Sequence, residues 1–367
     1  MFVLASIGIL ALLILVHEAG HFAAAKWQGI HVNRFSLGFG PVLWRIQGKE
    51  TEYALRLLPL GGFVGFPDED EDCPYLPQDP DLLKNRSVLD RLVVMAAGVM
   101  ANLVFAYAVL VVMIAVVGIP MVSHYQPGIL IPEVTPQGPA QQAGIQAGDI
   151  ILGAGDQVFT EIHTEAEAEK AVIDFQTLIQ SHGEQSLRLM VERPGQEGLV
   201  EVTVTPRQEE GSKAVIGVSL TPHQVIESRR AESIGEVFQE ASAAYQRLVL
   251  INLQGFKQLL QNFESTAKQV SGPVGIVKIG AEMAKNDVTS LFNFTALISI
   301  NLAILNLLPL PALDGGHILF LLLEGLRGKR LPRQLEERVM QTGLVFLLGL
   351  GVVLIFKDTV ALVSGSG

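Results

Sequence analysis

Residues 2–25 form an apolar run of bilayer-spanning length, and inside it stands His17-Glu18-Ala19-Gly20-His21. A hydrocarbon core about 30 Å thick is crossed by about 20 apolar residues wound as a helix, because lipid offers the backbone no hydrogen-bond partner. Such a run has little freedom to fold otherwise. An ionised side chain near mid-bilayer costs roughly 2.5 kcal/mol or more, so the polar residues of this run are expected to be in use. At about 1.5 Å per residue, His17 lies roughly 24 Å along a helix starting at Met1, nearer the far face of the membrane.

Two histidines four apart share one helix face, where both reach one tetrahedral zinc while the glutamate stands beside the attacking water. HExxH read in this way is the signature of a zinc hydrolase. Composition agrees with a membrane chain carrying a soluble insert: mean hydropathy is +0.39, and the 367 residues are 49% hydrophobic but only 17% charged. A net charge of −11 leaves no basic surface for phosphate, which excludes nucleic acid as a partner. The single cysteine, Cys73, excludes an internal disulfide and a thiolate zinc site, so zinc would be held by histidine and carboxylate. The first run lacks a basic leading segment and has HEAGH where a cleavage site would stand, so it is read as retained.

Further spanning runs cover residues 92–119, 291–310 with an apolar continuation to 323, and 339–356. Domain bounds drawn from them are 1–26, 27–91, 92–119, 125–222, 233–276, 291–325 and 339–360. The third run is broken by Asn306, Pro309, Pro311, Asp314 and two glycines, which is tolerated at membrane depth only beside a protein or water-filled cavity. In 27–91, a turn at Gly38 to Pro41 precedes strand-like stretches 42–47 and 51–58 joined at Gly48-Lys49, predicting a hairpin. Residues 55–66 contain Pro59, Gly61, Gly62 and Gly65, so they are apolar without being helical and are expected to dip into the membrane face. The acidic run 68–72 reads as a solvated loop. Residues 125–222 have the turn pairs and short β-branched stretches of a small soluble domain. Residues 233–263 show helical apolar spacing, and Ser271-Gly272-Pro273 breaks the linker after them.

Arg327, Lys329, Arg330, Arg333 and Arg338 follow the third span, while Lys26, Arg34, Arg45, Lys49 and Arg56 follow the first. The positive-inside rule makes both loops cytoplasmic, with the insert outside and HEAGH near the cytoplasmic face. A third zinc ligand is then sought among His31, Asp314, His317, Glu324 and the loop acids. Asp314 stands out, because a lone carboxylate in an apolar span needs a partner and the flanking prolines and glycines can aim it at the first helix. His317 reads as structural or behind the ligands, since a fourth protein ligand would close the site to water. Glu18 is suited to take a proton from the attacking water and pass it to the leaving amine.

The chain resembles the site-2 proteases, intramembrane zinc metalloproteases of family M50, in their bacterial single-PDZ form, similar to regulator of sigma-E proteases. The resemblance rests on HEAGH, on Gly38-Phe39-Gly40, and on the GxxxN pattern from Gly98 to Asn102. It rests equally on Ser271-Gly272-Pro273-Val274-Gly275-Ile276 and on the segment from Asn306 through Pro309, Pro311 and Asp314 to His317. It implies a multi-pass α-helical membrane protein of about four transmembrane helices, with a membrane-associated β-hairpin and an inserted β-rich PDZ domain. It implies Zn2+ on His17, His21 and Asp314, Glu18 as the catalytic group, and cleavage of single-span membrane proteins, such as a membrane-anchored anti-sigma factor, after another protease has trimmed them. By the same resemblance Asn306 bonds the unwound substrate backbone, Asn102 orients that region, and the hairpin with Gly38 and Gly40 holds the extended substrate by strand addition. The PDZ likeness lies in Gly138-Pro139-Ala140 and Ala143 to Asp149. It puts a peptide-capturing loop at Gly128, Ile129 and Leu130, in a domain that either binds peptide or filters by size. A bacterial plasma membrane is the expected location, an organelle membrane the alternative. The competing functional reading is a non-catalytic membrane adaptor that binds peptides through its PDZ domain. A metal transporter would need ionisable groups in the second and fourth runs, which lack them.

Overall fold

The first apolar run winds into α1 (Phe2–Trp27), which ends as Lys26 and Gln28 return the chain to polar surroundings. A computed structural model describes the chain apart from residues 71, 136, 208–212, 263–269, 287 and 364–367. It separates into two units, one made of Met1–Val117 and Arg230–Val360, the other containing Gly118–Arg229.

In the first unit, β1 (Arg34–Gln47) and β2 (Glu52–Gly65) follow α1 and are longer than the expected hairpin. Both strands bend, so they pair in three registers: Gln47↔Glu52 to Trp44↔Leu55 run antiparallel, Arg34↔Glu52 to Leu37↔Leu55 parallel, and Arg34↔Gly65 to Leu37↔Gly62 antiparallel. The first half of β1 is thereby inserted between the two halves of β2. Residues 62–65 form one outer edge and 42–47 the other. Phe22 of α1 stacks edge-on against Phe35 at 5.3 Å and Tyr53 at 6.0 Å, anchoring the sheet to the helix. Ala25, Ile30, Val32, Phe66, Leu83 and Val94 close a small core beneath it.

The acidic run is not simply a solvated loop. Asp70 pairs with Arg34 and accepts from Asn33 at 2.6 Å, and Asp68 accepts the Lys84 amide at 2.9 Å; Glu71 lies outside the described residues. Ser87 caps α2 (Val88–Val116) in a reciprocal box with Asp90. The second spanning run therefore starts earlier than residue 92 and stops before Ile119, because Gly118 turns the chain at φ +105° and Ile119 opens a strand.

The second unit carries β3 (Ile119–Leu130), α3 (Pro139–Gln142), β4 (Ile150–Ala154), β5 (Gln157–Val158), α4 (Glu165–His182), β6 (Leu187–Glu192), β7 (Leu199–Val204) and β8 (Thr221–Arg229). Its sheet has the order β7-β6-β4-β3-β8, with β5 on β4. It is wider than residues 125–222, since β3 and β8 stay paired out to Ile119↔Arg229. Ala168, Ala171, Phe175 and Ile179 of α4 pack on Ile129, Ile151, Leu189 and Val191 of the sheet. Asp149, fully buried, is held by the Arg193 guanidinium at 2.8 Å.

The first unit resumes with α5 (Ile234–Gln261), capped by Ser233; Phe263, the expected end of that helix, lies outside the described residues. Then come α6 (Pro273–Asn286), α7 (Val288–Leu307), α8 (Asp314–Arg327) and α9 (Arg333–Val363). Asp358 of α9 accepts from the amides of Gly275 at 2.7 Å and Gly272 at 3.3 Å, which gives the Ser271-Gly272-Pro273 segment a partner. Among the described residues, four helical stretches are long and apolar enough to cross a membrane: Phe2–Trp27, Val88–Val116, Thr289–Leu307 and Gln334–Val360.

Candidate metal centre

Helical spacing puts His17 and His21 on one face of α1, and small residues let α2 approach that face. A side chain at Gly20 would meet Ala101 Cβ at 2.7 Å; one at Gly98 would meet the Cε1 atoms of His21 and His17 at 2.7 and 2.8 Å. Val94, Gly98 and Asn102, one turn apart, thus form the stripe of α2 that faces the imidazoles. The Val94 carbonyl lies 2.8 Å from His21 Nδ1. A carbonyl only accepts, so Nδ1 carries the ring proton and the Nε2 lone pair is turned inward.

The third group arrives through the break between α7 and α8. Ala312 adopts φ +70° two residues before Asp314. At Gly315 and Gly316 an added Cβ would collide with the backbone of Leu307, Leu308 and Leu310, so the chain can double back there only without side chains. Asp314 opens α8, where the helix dipole favours a carboxylate.

His17 Nε2, His21 Nε2 and Asp314 Oδ2 close a triangle with sides of 3.0 Å (His17–Asp314), 3.2 Å (His21–Asp314) and 3.2 Å (His17–His21). Three N and O donors on one tetrahedral zinc stand about 3.3 Å apart, given bonds of about 2.0 to 2.1 Å. Both histidines are buried, and Asp314 Oδ2, buried too, has no partner besides the two imidazole nitrogens. The donor set, its spacing and this oxygen turned to the two rings fit a zinc held by His17, His21 and Asp314 with one position left open.

Glu18 lies against the edge of the sheet. A Cβ on Gly62 would lie 2.7 Å from Glu18 Cγ, so the glutamate rests against the bare backbone of the edge segment. The Asn306 amide lies 3.5 Å from His17 Nε2, and Asn102 Nδ2 is 3.3 Å from His17 Nδ1.

The other candidates lie elsewhere. His31 bonds Glu50 at 2.6 Å, lies 3.7 Å from Asp79 and stacks on Tyr75. His317 is 3.7 Å from Glu336, and Glu324 pairs with Arg91 and Arg330. Gly38 and Gly40 form the bend of β1 at φ +89° and +84°, packed against Leu58, and no contact among the described residues joins them to the triangle. Gly128, Ile129 and Leu130 are the end of a strand and not a loop. The Gly128 amide donates to the Phe159 carbonyl at 2.7 Å, and Ile129, fully buried, pairs with Ile151 on one side and Pro222 on the other. The Val94 carbonyl and the packing roles of Gly62 and Gly98 were not singled out from sequence; Gly62 left a trace only as a helix breaker and Gly98 as the first residue of GxxxN.

Residues 5–350 match peptidase family M50. A relative from Nostoc sp., named "Putative zinc metalloprotease", is 52% identical over 366 residues, covering 99% of this chain and 97% of its own. The "Membrane metalloprotease ARASP, chloroplastic" of Arabidopsis thaliana is 41% identical over 361 residues, 98% of this chain and 79% of its own. Among solved structures, the PDZ domain of an SdrC-like protein from Listeria monocytogenes aligns at 18% identity and a TM-score of 0.20, covering 26% of this chain and 87% of that one, too low a score to inform the fold of the insert.

Proposed function

The chain belongs to peptidase family M50 and is a membrane metalloprotease, and on that premise we propose that it hydrolyses peptide bonds within or beside the transmembrane segment of single-span membrane proteins. The observation that carries this reading is a complete donor triangle whose two histidines, with Glu18 between them, stand on a helix of bilayer-spanning length.

A zinc held by His17, His21 and Asp314 would supply Lewis acidity for the scissile carbonyl and the attacking water. Glu18 takes the proton of the attacking water on a carboxylate oxygen and returns it to the nitrogen of the leaving amine. His21, its Nδ1 fixed by Val94, keeps Nε2 aimed at the centre. The Asn306 amide, 3.5 Å from His17 Nε2, stands where it can donate to a substrate carbonyl. A helical substrate hides its amides, so it must become extended before attack. The edge segment 62–65 runs past Glu18 with no side chain at Gly62 and can take that extended chain as an added strand. Substrate holding is thereby assigned to this edge, and Gly38 and Gly40 to the bend that shapes it.

The insert is read as PDZ-like from Gly138-Pro139-Ala140 and Ala143 to Asp149, acting on substrates outside the cytoplasm by peptide capture or by excluding bulky domains. The membrane is read as a bacterial plasma membrane with HEAGH toward the cytoplasm. The adaptor reading would leave an entire ligand set and base idle.

The test is cleavage of a single-span reporter by the full chain in liposomes. Glu18→Gln should keep zinc and lose roughly 10²- to 10⁴-fold in rate; undiminished cleavage would sink the assignment of the base. Asp314→Ala should lower zinc content by elemental analysis, and unchanged content would remove it as a ligand.

A further inference from the structure

Asn102 is fully buried in α2, with its main-chain carbonyl accepting from Ser299 Oγ of α7 at 2.8 Å. Its side-chain Nδ2 lies 3.3 Å from His17 Nδ1, while its Oδ1 is buried with no partner. In this arrangement the amide donates to Nδ1. The ring proton of His17 then sits on Nε2, facing Asp314 Oδ2 at 3.0 Å.

A zinc ligand needs the opposite tautomer. An imidazole that binds metal through Nε2 carries its proton on Nδ1, and an NH2 group cannot accept that proton. A half-turn about the terminal bond of Asn102 exchanges Nδ2 and Oδ1 without moving any other atom. The turn leaves the number of unpaired buried polar atoms unchanged, because Nδ2 takes the place of the orphaned Oδ1.

We propose that Asn102 is the positioning residue for His17: it turns its amide so that Oδ1 accepts the Nδ1–H of His17 when metal is held. The two histidines are then tuned differently. His21 faces a main-chain carbonyl that can only accept, so its tautomer is fixed with or without metal. His17 faces a side chain with a donor face and an acceptor face, and so is satisfied in both states. An aspartate would accept equally well but would bring a second carboxylate into a spanning helix. The spacing of Gly98 and Asn102 follows: one turn makes room for both rings, and the next supplies the acceptor.

The inference rests on His17 being a zinc ligand, and Asp314→Ala tests that reading separately. The experiment measures zinc affinity of the full chain in detergent by chelator competition, with thermal unfolding of the apo form as the check on folding. Asn102→Leu, of similar size without an acceptor, should weaken zinc by roughly 10- to 100-fold. Asn102→Asp, which can only accept, should bind within a few-fold of the unaltered chain. Zinc affinity unchanged in the leucine variant would overturn the proposal. So would equal losses in the leucine and aspartate variants with apo midpoints intact, since packing alone would then explain both. If the leucine variant unfolds early, Asn102→Ala replaces it in the same comparison, with the same two outcomes deciding.

Discussion

Gly98→Ala adds one methyl to the chain, and it should weaken metal binding severely. The new Cβ would lie 2.7 Å from His21 Cε1 and 2.8 Å from His17 Cε1, where 3.4 Å is the start of ordinary contact. Relief needs a movement of at least 3.4 − 2.7, about 0.7 Å, at Cε1, and more at His21 Nε2, the ligating nitrogen, which the new Cβ would approach more closely still, against a tolerance of about 0.2 Å in metal–ligand distance. Backing α2 away from α1 would open the close contact of Gly20 with Ala97 and Ala101 that packs the two helices together. Zinc affinity should fall at least about 100-fold, or about 2.8 kcal/mol. Helix propensity works the other way, since alanine is favoured over glycine by about 0.8 to 1.0 kcal/mol in a helix interior. Gly8→Ala isolates that effect, because a Cβ on Gly8, in α1, meets nothing within 4 Å. Chelator competition on both variants, with reporter cleavage alongside, gives the answer. Zinc affinity in Gly98→Ala equal to that of Gly8→Ala would refute the claim that α2 approaches the imidazoles this closely.

Ala312, at φ +70°, holds a conformation that costs an L-residue roughly 1 to 2 kcal/mol. Ala312→Gly should raise the thermal midpoint, whereas Ala312→Val should lower both midpoint and zinc affinity; equal midpoints in the two would show that the strain is absent. Glu50 lies outside the spanning helices. Burial raises its carboxyl, but Lys26 and His31 bonded to it prevail and hold it below the ordinary glutamate value. A carboxylate depressed on folding contributes stability above its unfolded pKa, about 4.3, and loses it as pH falls through the lower folded value. The midpoint difference between the unaltered chain and Glu50→Gln should therefore shrink on acidification from pH 7 through that window, and a constant difference would count against the cluster.

The donor triangle was legible because lipid makes polar residues conspicuous. His17, His21 and Asp314 stand out in runs that otherwise exclude charge, and helical spacing alone pairs the first two. What orients them was not legible. The Val94 carbonyl is main chain and leaves no mark on sequence, and Gly62 read only as a helix breaker until the edge of the sheet was seen against Glu18. The two bent strands were read as a simple hairpin, because a turn at Gly48 predicts neighbours locally but not that residues 34–37 insert between the halves of β2. Gly128, Ile129 and Leu130 read as a loop, but they end a strand, and the sheet absorbs Pro127 and Gly128 as an irregularity between Tyr125 and Ile129, with Gly128 at φ +96° and the Pro127 carbonyl 2.8 Å from His223 Nδ1. The second span was carried too far because Val116 to Ile119 is as apolar as the helix before it, and only the backbone of Gly118 ends it.

Gly20 and Gly98 bring α1 and α2 together and Gly62 brings the sheet edge against Glu18, and at each of the three a Cβ would lie under 3.0 Å from a neighbour. Every substitution at such a position adds atoms, so mutation there can only shrink the chamber around the reacting bond. A wider chamber would require the spacing of α1, α2 and the sheet to be reset together. Variation among substrates accepted by such a chain should therefore accumulate in the elements that deliver the substrate, while the walls around the histidines stay bare.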